Sequence, residues 1–224
     1  MARTKSTSSS GVSSTLIGGI IAVGLISFAV ACILGSVLLY TSSPLRLYSL
    51  DLFGGTIWYP WFNFGYNWTT QWISDLGVGP SAFIFNVGLM IAGVVCLPFF
   101  PTLLKPLGYT RSAKIGVVIG IVAGAALIGI GAFPETTGFY HPLFSVLFWS
   151  LFAVSAGVLS FAMRSTSLFP RATQYIGYFE LVGGLTTLVL SGIYGAVPEW
   201  IMLLILVIWV YAAGITMLIK GRTS

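Results

Sequence analysis

The sequence predicts an all-α integral membrane protein, a bundle of six transmembrane helices, and three observations carry that prediction. Of 224 residues, 57% are hydrophobic and only 7% are charged, whereas a soluble domain spends about a quarter of its residues on charge. Six apolar runs reach roughly 20 residues, enough at 1.5 Å per residue to cross a hydrocarbon core of about 30 Å. All of the few charges but Glu180 fall between these runs, and all of those but Arg46 are sorted by sign.

The sorting sets the expected topology. With the N-terminus in the cytoplasm, Arg3, Lys5, Lys105, Arg111, Lys114, Arg164, Arg171, Lys220 and Arg222 lie on the inner side, and only Arg46 lies outside. Asp51, Asp75, Glu135 and Glu199 fall on the outer face. The positive-inside rule therefore predicts a cell-membrane protein with both termini cytoplasmic. The net charge of +5 does not point to nucleic acid, because it is spread over short loops at an anionic lipid surface. Cys32 and Cys96 lie towards opposite ends of their helices, which predicts two buried thiols and no disulfide.

Residues 1–14, rich in Ser and Thr, read as a disordered cytoplasmic tail. Helix 1 is expected over 15–40. A signal peptide is the competing assignment, but its apolar core would be about 7–15 residues and this run is longer and uncharged. Residues 41–80 form an outer segment in which Gly54-Gly55, Pro60 and Gly65 interrupt any long helix. Four of the seven tryptophans, Trp58, Trp61, Trp68 and Trp72, fall within it. Rings with one polar edge settle at headgroup level, so the segment should lie against the membrane surface. Asn67-Trp68-Thr69 is a glycosylation sequon on the correct side, with an unmodified Asn as the plain alternative.

Helix 2 is expected over 81–100, entered through Pro80 and closed near Pro98 and Pro101. Asn86 lies in its first turns, where an amide would bond a neighbouring helix. Helix 3, over 114–133, carries Gly116, Gly120 and Gly124, a ladder that lets another backbone approach in lipid. Membrane lipids are the expected partners, with other membrane-protein subunits as a second class of partner through this ladder. Helix 4 spans 143–163 and helix 5 spans 173–194. Helix 5 holds Glu180, the one acidic residue expected at membrane depth, which either stays neutral or reaches towards the inner basic residues. Helix 6 runs over 200–219, and residues 220–224 form a second cytoplasmic tail.

Three outer connections deliver Ser74 with Asp75, Glu135 with His141, and Glu199, all at a helix boundary and so at similar depth. Carboxylates beside a histidine in a partly dehydrated pocket suit acid–base catalysis, and a metal held by His141 and nearby carboxylates stays open as an alternative. The same groups equally suit a hydrogen-bonded clamp holding the outer segment onto the bundle, since polar groups near lipid need partners whatever the function. A single histidine excludes three-histidine zinc sites and HExxH helices. Phosphate-cradling GxxxxGK[ST] loops and GxSxG elbows are also absent, and no cofactor is predicted. A triad of Ser74, His141 and a carboxylate rests on residue type alone.

Trp72-Ile73-Ser74-Asp75-Leu76-Gly77, followed by Phe85-Asn86-Val87-Gly88-Leu89 and Ala92-Gly93, resembles the second-helix pattern of the uncharacterised prokaryotic multi-pass membrane family catalogued as domain of unknown function 998. Gly131-Ala132-Phe133-Pro134 with His141, and Gly195 with Glu199, resemble that family's later motifs. Glu135 follows Pro134 directly, whereas the family pattern places its acidic residue one or two positions on. The resemblance spans all six helices and implies a fold and a set of positions, but no reaction. The Ser74-Asp75 entry also resembles that of the eukaryotic Frag/DRAM membrane family, linked to membrane trafficking and autophagy. The expected function is an accessory subunit or scaffold of the cell envelope. An outer-leaflet lipid or envelope-precursor enzyme using Asp75, Glu135, His141 and Glu199 is the alternative, and a small transporter the third.

Overall fold

A computed structural model describes residues 13–42, 46–50, 57–61, 66–194 and 196–222. Six long helices form in chain order: α1 (Ser14–Ser42), α2 (Ala82–Thr102), α3 (Arg111–Ala132), α4 (Tyr140–Met163), α5 (Arg171–Tyr194) and α6 (Val197–Gly221). The connection between α1 and α2 adds an antiparallel pair, β1 (Arg46–Leu50) and β2 (Ile57–Trp61), with Tyr48 opposite Tyr59. Asp51 and Gly195, and the tail carrying Arg3 and Lys5, lie outside the described residues.

Several helices begin earlier than expected, for local reasons. At α3, Thr110 Oγ1 accepts the Ala113 N–H at 3.2 Å and so starts the helix at Arg111, three residues before Lys114. The first turns of α4 and α6 absorb Pro142 and Pro198, where proline costs no intrahelical bond. Helix 2 ends near its prolines as expected, but two residues later than Phe100: Pro98 and Pro101 lie within the last turns of α2, which stops at Thr102. Proline is tolerated in apolar bundles because neighbouring helices support the backbone it frees.

Each helix packs on the next in sequence, and α6 closes against α1, so the six form a ring. Close approach depends on glycine at two seams. A Cβ on Gly19 of α1 would fall 2.8 Å from the Gly214 carbonyl of α6, and one on Gly93 of α2 would fall 2.7 Å from the Gly124 carbonyl of α3. The predicted glycine ladder is spent inside the chain: Gly116 faces Leu159 of α4, Gly120 faces the Phe100 ring, and Gly124 faces Cys96. Among the described residues, five helical segments are long and apolar enough to cross a membrane. The exception is α5, whose apolar run is diluted by Gln174, Glu180, Thr186 and Thr187.

The middle of the ring is filled unevenly. Phe99, Phe100, Phe152, Trp209, Met163 and Met217 are buried in the half nearer Lys105, Arg164 and Lys220. Phe152 meets Phe100 and Trp209 edge-on at 6.5 and 5.9 Å. The other half is capped by a second, smaller cluster of Ile33, Tyr40, Ile73, Leu76 and Phe85, and between the two lies a cavity.

Candidate functional site

The cap of the ring is built by residues 66–81. Tyr66 OH donates to the carbonyls of Gln71 and Trp72 at 2.9 and 2.6 Å, and Gln71 Nε2 donates to Tyr40 OH at 3.1 Å. Tyr66 also meets Tyr40 and Trp200 edge-on, both at 5.8 Å, so the segment is clasped between the end of α1 and the start of α6. Burial, followed by the nearby Glu199 charge, pushes the Tyr66 phenol well above its ordinary range. A 3-10 turn, Ile73–Gly77, then places Ser74 and Asp75. Ser81 Oγ and Asn86 Nδ2 hold it from α2 by donating to the Leu76 and Gly77 carbonyls at 2.7 and 2.9 Å. The expected bond from Asn86 to a neighbouring helix is thus replaced by one to the cap, because the turn lies directly over the start of α2.

Three of the four predicted acid–base residues come together here. Asp75, 2% exposed, accepts the Trp72 N–H at 2.8 Å and hydrogen-bonds to Glu135. Glu135 Oε1 also accepts the Ser74 hydroxyl at 2.5 Å. Glu199, in the first turn of α6, accepts the Ile73 N–H at 2.9 Å, and the Trp149 indole approaches the same carboxylate. Burial, then the charge of Glu135, raises the Asp75 carboxyl far above the ordinary carboxylate range. The hydrogen-bonded pair of Asp75 and Glu135 therefore holds a proton more tightly than a free carboxylate does.

His141 does not join the three. Its ring is buried and turned to the Phe133 carbonyl, 2.8 Å from Nδ1, while Nε2 lies 3.4 Å from Ser145 Oγ. The Phe133 carbonyl lies eight residues earlier, at the end of α3, so the histidine ties the α3–α4 turn together. A triad of Ser74, His141 and a carboxylate is overturned on the same ground, since the Ser74 hydroxyl goes to Glu135. Among the described residues, no group of three or more His, Cys, Asp or Glu side chains has the arrangement of a metal site.

Ser74 and Glu199 face the central cavity, together with Ser145. Its other walls are almost wholly apolar, from Leu25 to Ile33 on α1, Phe85 to Cys96 on α2, Phe148 to Phe152 on α4 and Leu203 to Val210 on α6. The cavity volume is about 100 Å³, and about 870 Å³ when the open space at its mouth is counted. Nothing in the sequence marks this cavity or the roles of Tyr40, Tyr66 and Gln71 in holding its roof. The one available signal was a glutamine and two tyrosines beside apolar helix ends, where their polar atoms must be satisfied.

The remaining predicted positions are spread out. Asn67 is exposed, and its Oδ1 accepts the Thr69 N–H and hydroxyl at 3.0 and 2.7 Å. Glu180 is fully buried in α5 with no hydrogen-bond partner for either oxygen among the described residues, so it does not reach the basic residues described there. Cys32 and Cys96 are free thiols.

Fold and site together define a multi-pass helical membrane protein with a carboxylate-roofed pocket at one end of its bundle. Within that class, the chain belongs to the family described as Protein of unknown function (DUF998), whose model matches residues 52–216. The matched span contains the whole cap and all three converging carboxylates, and it lends no support to the Frag/DRAM likeness. No curated protein and no solved structure matches the chain.

Proposed function

We propose that this protein is a general acid–base enzyme acting on a lipid or lipid-linked envelope precursor at the outer leaflet. The observation that supports it is the convergence of Ser74, Asp75, Glu135 and Glu199 from three separate connections, with Ser74 and Glu199 facing a cavity. Two hydrogen-bonded carboxyl groups, one of them pushed up by burial, can supply an acid and a base. Glu135 takes a proton from a water held beside the Ser74 hydroxyl as the water oxygen attacks the scissile centre. Asp75 gives its proton to the departing oxygen. The hydrogen bond between the two carboxyls then returns the proton from Glu135 to Asp75.

The basic residues at the opposite end support placing that end in the cytoplasm, with both termini inside. Packing of α5 between α4 and α6 supports a sixth crossing despite its lower apolarity. A decisive experiment incubates nanodisc-embedded protein with total envelope lipid extract and follows products by mass spectrometry. Turnover by the natural protein that disappears in Asp75→Asn and Glu135→Gln is expected. No turnover, or turnover unchanged in both variants, would sink the proposal.

A scaffold or accessory subunit is the second reading, favoured by the number of site groups already tied to backbone, such as Glu199 to Ile73 and Asp75 to Trp72. It predicts stable co-purification of a membrane partner that is lost when the cap is disrupted. A transporter has less support, because Glu180 is not among the residues lining the cavity.

A further inference from the structure

Protein interiors are packed to crystal-like density, so a void in the middle of a bundle calls for an occupant. This one runs alongside Glu199 to Val210 on α6 and Phe85 to Cys96 on α2, a depth of roughly 16 Å at 1.5 Å per residue. Its walls are aliphatic and aromatic, and Phe152, backed by Phe100 and Trp209, closes the deep end. Polar atoms cluster at the shallow end, where Ser74, Ser145 and Glu199 lie. Apolar cavities of this kind stay dry, since a water needs two to four polar partners.

We infer that the cavity holds one alkyl chain of a membrane lipid, inserted tail-first, with an uncharged polyol or ammonium head held beneath Ser74 and Glu199. The inference deepens the acid–base reading, on which it rests, by naming the substrate class. An alkyl chain matches a narrow slot that is apolar along its length, and the surrounding bilayer supplies such chains at high concentration. The head follows from the roof. Glu199 presents acceptor oxygens at the cavity and Glu135, behind Ser74, adds negative charge, which together attract hydroxyl and ammonium donors and repel phosphate. No basic side chain lines the cavity to offset that repulsion.

The test uses the full chain in nanodiscs and a monoacylglycerol carrying a diazirine near its chain terminus. After irradiation, peptides containing Cys96, Phe152 or Val210 should carry the label. Two cavity-filling variants, Ala92→Phe and Ala29→Phe, should lose it while still eluting as monodisperse protein. Two are used because Ala92 is 2% exposed and its variant could misfold, whereas Ala29 is half-buried. Label confined to outward positions such as Phe83, Val94 and Leu204, or unchanged in a folded filling variant, overturns the inference. Equal labelling by a phosphate-headed single-chain analogue overturns the choice of head. Internal label that persists in Glu135→Gln, without lipid turnover by the natural protein, supports the chain site while removing the enzyme. Turnover with only outward label does the reverse.

Discussion

The backbone N–H of Ile73 donates to Glu199 Oε2 at 2.9 Å, joining the cap to the first turn of α6 across 126 residues of sequence. The carboxylate also sits where a helix N-terminus favours negative charge. Glu199→Ala should leave the Ile73 N–H without a partner and lower stability by about 1–3 kcal/mol. Glu199→Gln keeps an accepting oxygen and should cost less. Thermal unfolding in detergent measures both, and equal losses would show that charge rather than the hydrogen bond matters.

Asp75 makes the cap sensitive to pH. Its folded carboxyl titrates well above the ordinary range, so between the two values the folded chain binds more protons than the unfolded chain. The stabilisation is complete below the ordinary carboxylate range and is lost as pH rises towards the raised value. One proton limits the slope to about 1.4 kcal/mol per pH unit. The natural protein should therefore melt at a higher temperature near pH 5 than near pH 8, and Asp75→Asn should flatten that difference. A difference that survives in Asp75→Asn would assign the effect to another group.

Glycines of α1 should divide by what faces them. A Cβ on Gly19 would press on the α6 backbone, 2.6 Å from the Leu218 nitrogen, whereas one on Gly24 or Gly35 meets nothing within 4 Å. Gly19→Ala should open the α1–α6 seam and cost about 1–3 kcal/mol. Gly24→Ala should be neutral or stabilise by up to about 1 kcal/mol through helix propensity. Unfolding temperatures of the two variants decide it, and a Gly19→Ala protein as stable as the natural one would count against the close seam.

These contrasts also mark what could be read from the chain. Runs of apolar residues located all six helices, because length and hydropathy are local properties of sequence. Helix starts at Arg111, Tyr140 and Val197 were placed late, since Thr110, Pro142 and Pro198 look like interruptions until they are seen within first turns. Of the site, Ser74, Asp75, Glu135 and Glu199 were legible as a group because each sits at a helix boundary on one face. His141 satisfies the same criterion, yet it turns to the Phe133 carbonyl, an orientation that depends on local turn geometry. The cavity was illegible, because a void depends on how side chains from five helices meet rather than on any one segment.

Glu180 presents the opposite situation to the cap. Among the described residues neither of its oxygens has a partner, and the residue is fully buried, with α5 pressed close to its neighbours at Gly177, which faces Ser160 and Trp209, and at Gly184, which faces Ala153. Burying a polar group without hydrogen bonds costs about 1–3 kcal/mol in proteins, so Glu180 spends stability and repays none through visible contacts. Replacing it with an apolar side chain of similar volume should relieve the cost: Glu180→Met is expected to gain about 1 kcal/mol or more. Glu180→Gln retains a polar group and should change stability little. If unfolding temperature rises in Glu180→Met while lipid turnover falls, the carboxyl is used by the protein, since residues kept against stability are commonly functional. If turnover is unchanged, Glu180 takes no part in the chemistry at the cap. A Glu180→Met protein less stable than the natural one would mean that the carboxyl has a partner the fold conceals.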